Sequence, residues 1–114
     1  MRCDLTDVDG VLVARIEGDI DFGSAGDLGR DILDEMPDAA LGLVLDLTDV
    51  RYVDSGGVRV FFELAAQLAI SGRSVALAVP ETSPVRRLIK ITRLEEAVLL
   101  CTSSPQCAEM IRQT

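Results

Sequence analysis

The sequence predicts a single α/β domain in which helices pack on a mixed β-sheet. Apolar runs typical of strands alternate along the chain with apolar stripes typical of amphipathic helices. The length, 114 residues, is that of one compact domain. Hydrophobic residues make up 48% of the chain, but only 4% are aromatic and none is Trp, so the core must be aliphatic. We expect one domain over residues 1–114, with fraying near Thr114.

The N-terminal segment predicts a β-hairpin. Residues 3–6 indicate a short strand, and residues 7–10 contain an Asp-Gly turn pair. Residues 11–17 alternate well enough to indicate a second strand, with Arg15 and Glu17 on its polar side. The apolar side of that strand would carry Leu12, Ala14 and Ile16.

Two helices are predicted in the first two thirds of the chain. The first begins at Ser24, followed three residues later by an acidic residue as in a capping box, and ends at Pro37. The second begins near Ser55 and runs to about Ile70 on a stripe with i, i+3, i+4 spacing. Phe61 lies on this stripe and is expected in the core.

Two further helices each begin with a serine cap followed by proline, a favoured pair at helix starts. These pairs are Ser83 with Pro84, and Ser104 with Pro105. Strands are predicted at residues 41–47, 74–79 and 98–101, the last at a sheet edge. The order is therefore β-β-α-β-α-β-α-β-α. Strands joined through helices pair in parallel by right-handed crossovers, whereas the hairpin adds an antiparallel pair.

Composition excludes several classes of function. The net charge is −8, so nucleic acid binding is not expected. No apolar run approaches the ~20 residues of a membrane helix, and no apolar signal region opens the chain, so we expect a cytoplasmic protein without membrane insertion. There is no His, which removes common acid–base catalysis and leaves too few ligands for zinc. We therefore expect that the protein is not an enzyme and that it binds neither a metal nor a cofactor. The three cysteines have no regular spacing, so we expect reduced thiols.

The most informative segment is residues 52–58, between a buried strand and an amphipathic helix. The first N–H groups of a helix have no partner within the helix, and they can hold a phosphate or a partner's carboxylate. Gly56 and Gly57 would let another molecule approach the backbone. The alternative is an ordinary loop in which Asp54 or Ser55 caps the helix. The P-loop lysine is missing, which disfavours nucleotide hydrolysis.

Residues 54–58 resemble the Asp-Ser-Ser/Thr-Gly-Leu signature of the STAS domain family, in particular its anti-sigma factor antagonists (anti-anti-sigma factors). Three other segments resemble the family in the same order. Residues 18–21 are similar to its Gly-Glu-Leu-Asp turn, residues 43–48 to the strand before the signature, and residues 85–94 to its third helix.

The resemblance implies a regulatory module that takes part in partner switching. Members of the family bind an anti-sigma factor, often one with a serine-kinase fold, and so release a sigma factor. The kinase phosphorylates the second hydroxyl residue of the signature, and the added charge of about −1.5 to −2 disrupts docking. In this chain Gly56 stands at that position. Either Ser55 substitutes as the acceptor, or the domain is permanently binding-competent, or it acts as a scaffold or accessory subunit.

We therefore expect a partner-binding surface around the start of the second helix and the turn at Asp19 and Asp21. Asp21 could equally be a turn carboxylate that bonds to the backbone. The residues expected to form this surface are Asp19, Asp21, Asp54, Ser55, Gly56, Gly57, Val58 and Arg59. Two other functions remain open: a non-catalytic STAS subunit of a larger assembly, such as a lipid-transport complex or a stress-signalling scaffold, and a small nucleotide or anion sensor. A homo-oligomer is compatible with each of them.

Two further features remain outside the signature. Asp46 interrupts an apolar strand, and we expect it to be buried or half-buried and to organise the loop before Asp54. Residues 86–93 carry a local basic group in an acidic protein. That group is either a solvated helix face or a contact for an acidic partner or a lipid head group.

Overall fold

The computed structural model describes residues 1–114, apart from the side chain of Phe22. Its five strands form one sheet in the order β1-β2-β3-β4-β5, in which β1 and β2 are antiparallel and the other neighbours are parallel. The predicted α/β class, element order and edge position of the last strand are confirmed. The elements are β1 (Arg2–Val8), β2 (Val11–Glu17), α1 (Phe22–Glu35), β3 (Gly42–Asp49), α2 (Ser55–Ala69), β4 (Ser74–Ala78), α3 (Val85–Ile91), a 3₁₀ turn (Leu94–Glu96), β5 (Leu99–Cys101) and α4 (Ser104–Arg112).

The hairpin is longer than predicted because β1 pairs with β2 along its whole length. Its turn has Asp9 at φ 50° and Gly10 at φ 88°. Two consecutive left-handed residues are what a tight hairpin turn requires, and Asp-Gly supplies them at low cost. Asp7 accepts a 2.9 Å hydrogen bond from the Gly10 amide, which further stabilises the turn.

Helices cover both faces of the sheet, because alternate residues of the central strand point to opposite sides. Leu43, Leu45 and Leu47 belong to the larger buried cluster, which they share with α1, α2 and α3. Val44 lies in a second cluster with α4, which includes Ile111. The central strand is thus covered on both faces, as its apolar run predicts. Phe61 is buried in the larger cluster, as expected.

Two helices begin earlier than predicted, and the reason is the position of the capping side chain. Asp21, not Ser24, caps α1, and Ser24 lies at the third helical position in a reciprocal capping box. Ser103, not Ser104, caps α4, which moves Pro105 to the second position. The two candidate caps stand three residues apart at α1 and next to each other at α4.

Two cysteines form a disulfide, so the expectation of three reduced thiols was wrong. Cys101 ends β5 and Cys107 lies in the first turns of α4, and their Cα atoms are 5.7 Å apart. That separation is typical of disulfides. Cys3 is a free, half-buried thiol. Among the described residues, no helix has both the length and the apolar character needed to cross a membrane.

Candidate functional site

The loops that follow β2 and β3 are hydrogen-bonded to each other. The Ile20 amide donates to the Tyr52 carbonyl at 2.9 Å, and the Asp54 amide donates to the Ile20 carbonyl at 3.1 Å. Ile20 and Val53 form a parallel bridge and are both buried. The sheet therefore continues briefly beyond its named strands. This extension brings the two segments predicted to form one surface, residues 18–21 and 54–59, together at the carboxyl edge.

Asp54 caps α2 with its own carboxylate. Its Oδ1 accepts hydrogen bonds from the Gly56 amide at 2.8 Å and the Gly57 amide at 3.2 Å. The negative charge also lies favourably at the positive end of the helix dipole. These amides are the ones that would otherwise hold a phosphate. A free anion would have to displace Asp54, so this geometry disfavours capture of a nucleotide or phosphate.

Asp21 caps α1 in the same manner. Its Oδ1 accepts from the Ser24 amide at 3.0 Å, and the Asp21 amide donates to Ser24 Oγ at 3.3 Å. The turn carboxylate therefore does bond to the backbone, and it is also exposed. Asp19, two residues earlier, is exposed as well. The corner between α1 and α2 consequently presents an acidic surface.

Gly57 is required by packing inside the protein rather than by the approach of another molecule. It is buried, and a Cβ atom there would lie 2.6 Å from Val53 Cγ1 and 2.9 Å from Ile20 Cγ2. Both neighbours belong to the sheet extension, and both are held by core contacts. Only glycine lets the first turn of α2 come this close to the extension.

The remaining predicted residues differ in exposure. Ser55 and Arg59 are exposed, Gly56 is half-buried, and Val58 is buried in the core. Arg59 Nε donates to Glu63 at 3.0 Å, an exposed pair one helical turn apart. The outer surface of the corner is thus formed by Asp19, Asp21, Ser55 and Arg59.

Tyr52 is a further candidate that the sequence analysis did not include among the partner-binding residues. Its side chain is 53% exposed, and its carbonyl accepts the hydrogen bond from Ile20. An exposed tyrosine at a fixed loop position is a frequent anchor in protein interfaces. Its place in the short loop between a buried strand and Asp54 was the available clue.

Asp46 has a structural position on the other side of the sheet. It is half-buried as expected, but its Oδ2 accepts from Ser104 Oγ at 2.5 Å and its Oδ1 accepts from the Thr48 hydroxyl at 2.6 Å. It therefore fastens α4 to β3, and its bonds from the amide and hydroxyl of Thr48 also hold the start of the segment that leads to Asp54. Burial by itself would raise the pKa of Asp46, but hydrogen bonds from Ser104 and Thr48 outweigh it and hold the pKa below its usual value.

Comparison with known structures shows the same fold in anti-sigma factor antagonists. One from Mycobacterium paratuberculosis is 28% identical, with a TM-score of 0.80 over 97% of this chain and 93% of that one. A Thermotoga maritima protein with that role proposed for it is 22% identical, with a TM-score of 0.86 over 96% of this chain and 94% of that one. The antagonist SpoIIAA in its unphosphorylated form is 18% identical, with a TM-score of 0.70 over 99% of this chain and all of that one.

The family comparison covers nearly the whole chain. The model of the STAS domain matches residues 2–108, a span that includes every strand and most of α4. The four segments that resemble the family in the sequence all lie within it. This chain belongs to the STAS domain family.

Proposed function

We propose that this chain is a regulatory module of the anti-sigma factor antagonist type, which binds an anti-sigma factor with a serine-kinase fold. The single observation that carries the proposal is the exposed corner where α1 and α2 begin, built from two segments hydrogen-bonded through Ile20 and Asp54. A protein with the same fold and 28% identity is an anti-sigma factor antagonist.

In this proposal the exposed residues make the contacts and the buried ones support them. Asp19, Asp21, Ser55 and Arg59 contact the partner, together with the half-buried backbone at Gly56. Asp54 holds the first turn of α2 in place through its cap. Gly57 and Val58 are buried and contribute indirectly, because they set the distance between that turn and the core.

The domain is proposed to remain in the binding-competent state. Gly56 has no hydroxyl group, so a kinase cannot place a phosphate at the position where the family usually accepts one. Ser55 has an exposed hydroxyl, but it lies one residue earlier. One residue along a helix corresponds to about 100° around its axis, so the hydroxyl of Ser55 points elsewhere. The corner therefore gains no phosphate at residue 56 when the kinase is active, and its charge stays the same.

The test is a binding measurement with a serine-kinase-type anti-sigma factor from the same organism, with and without ATP. We expect the complex to form and to be unaffected by ATP. Gly56→Ser should restore sensitivity, so that the complex dissociates as phosphate appears on the new serine. Ser55→Ala is the matched control: whatever its affinity for the partner, that affinity should be the same with and without ATP.

Two results would contradict the proposal in different ways. Dissociation with ATP and phosphate on Ser55 would show that the switch has moved by one residue, and only the constitutive state would be lost. No complex with any such anti-sigma factor, together with recovery of the chain in another assembly, would favour the STAS subunit role instead. Calorimetry with nucleotides should show no heat, because Asp54 occupies the helix amides.

A further inference from the structure

Most of the cationic side chains of this acidic protein are engaged. The chain has 11 Lys and Arg residues against 19 acidic ones. Within the described part of the chain, one group of arginines forms ion pairs and a second bonds to backbone carbonyls. The first group is Arg2, Arg15, Arg30, Arg59, Arg93 and Arg112, and the second is Arg73 and Arg86.

Arg86 shows that the basic group predicted at residues 86–93 is not one uniform face. Its Nε donates to the Val79 carbonyl at 3.0 Å and its Nη2 to the Cys101 carbonyl at 3.3 Å, which ties the ends of β4 and β5 together. Arg93 is paired with Glu96. Arg86 is therefore engaged by the backbone, and Arg93 by an exposed ion pair within its own turn.

The cations left over are Arg51, Arg87 and Lys90, and all three are exposed. For the described residues, none of the three has an ion pair. Arg51 lines a shallow polar cavity of about 220 Å³ together with Pro84, the residue just before α3. Arg87 and Lys90 follow on α3 with i, i+3 spacing and so lie on one side of that helix.

An exposed apolar side chain accompanies these cations. Ile91 is 68% exposed and lies four residues after Arg87, on the same side of α3. We call Arg87, Lys90 and Ile91 the basic ridge. An apolar group bordered by cations without ion pairs can bury area and also form charge-assisted hydrogen bonds with a partner.

We infer that the basic ridge is a docking surface for an acidic segment of a protein partner, with carboxylates on the cations and an apolar side chain on Ile91. Charge complementarity supports this occupant. A nucleic acid or an anionic membrane presents an extended negative surface, which the net charge of −8 would repel. A short peptide segment would meet only the ridge. The ridge shares no residue with the proposed docking corner, so the inference stands independently of the proposed function.

The test is fluorescence anisotropy with a labelled peptide, acetyl-Glu-Glu-Ser-Leu-Glu-Glu-amide, and the purified full chain at about 0.05 M salt, where surface charges are weakly screened. We expect saturable binding that the double variant Arg87→Glu/Lys90→Glu weakens by roughly tenfold or more. The matched control is Arg2→Glu/Arg30→Glu. It changes the net charge equally at exposed pairs of little energetic value and should weaken binding by about twofold at most.

Ile91→Ser separates the apolar contact from the charges. It should weaken binding while leaving the dependence on salt unchanged. The inference would be overturned if the peptide did not bind, or if the ridge and control variants lost affinity for it equally. Either result would show that this side of α3 is only a solvated helix face. Tight binding of phosphatidylglycerol vesicles or duplex DNA at the ridge without peptide binding would also overturn it. Far-UV circular dichroism checks that each variant is folded.

Discussion

The amide of Asp54 donates a 3.1 Å hydrogen bond to the carbonyl of Ile20, which joins the cap of α2 to the residue just before the cap of α1. The two helices also pack against each other along the same face of the sheet. Their first turns are therefore held as one unit. For the proposed partner this corner would be a preformed surface, which lowers the cost of ordering it upon binding.

Gly57→Ala should destabilise the protein by about 1–3 kcal/mol, because the new methyl group would overpack against Val53 and Ile20. The measurement is urea denaturation. Gly26→Ala is the control, because no atom lies within 4 Å of a Cβ at that exposed position in α1. It should stabilise the chain by about 0.5–1 kcal/mol through helix propensity. Equal stability of Gly57→Ala and the unchanged chain would refute the packing role of Gly57.

Asp54→Ala should lower the free energy of unfolding by about 1 kcal/mol or more, since it removes the acceptor of the Gly56 and Gly57 amides. Asp54→Ser, which can also cap a helix, should recover part of the loss. Asp19→Ala removes an exposed carboxylate outside any helix and should stay within about 0.5 kcal/mol of the unchanged chain. Thermal denaturation distinguishes these cases, and a similar effect of both alanine variants would contradict the capping role.

Stability should fall in acid partly through Asp46. The folded-state pKa of Asp46 lies below its unfolded value of about 3.9, so its contribution is present above that pH and is lost as pH falls through the folded pKa. Asp46→Asn should be less stable at neutral pH, and its stability should depend less steeply on pH below about 4. Ser104→Ala should raise the pKa of Asp46, because it removes one hydrogen bond to the charged carboxylate. The free energy of unfolding is measured by denaturation at several pH values, and the pKa of Asp46 by carboxyl NMR titration. If the free energy of unfolding fell with acid equally steeply in Asp46→Asn and in the unchanged chain, this account of Asp46 would be wrong.

Thiol titration tests the pairing of Cys101 with Cys107. The denatured, unreduced chain should show one reactive thiol, and the reduced chain all three cysteines. In the folded chain the thiol of Cys3 should react slowly, because burial and then the nearby charges of Asp4 and Asp31 raise its pKa. The denatured, unreduced Cys3→Ser variant should show no reactive thiol. Three thiols without reductant would show that the disulfide is not formed.

The fold was predictable because its elements depend on short-range patterns. The alternation in β2 matches the observed strand Val11–Glu17, and the stripe beginning near Ser55 predicted α2 almost to its ends. Periodicity of this kind reflects which side of an element is buried, and a window of about 10–20 residues is enough to show it. The resemblance of residues 54–58 to the STAS signature was equally local, and the family comparison confirmed it.

The sequence by itself thus determined the class of fold and the order of its elements, and it singled out the segments at residues 18–21 and 54–59 that the structure brings together. Tertiary structure alone decided why Gly57 must be glycine, which cysteines pair, and that Asp46 bonds to Ser104, 58 residues away. It also decided which cations stay without ion pairs, as Arg87 and Lys90 do. The physical reason is the same in each case. Such contacts join residues from separate elements, so their partners are set by the packing of the whole chain and leave no periodic trace in the sequence.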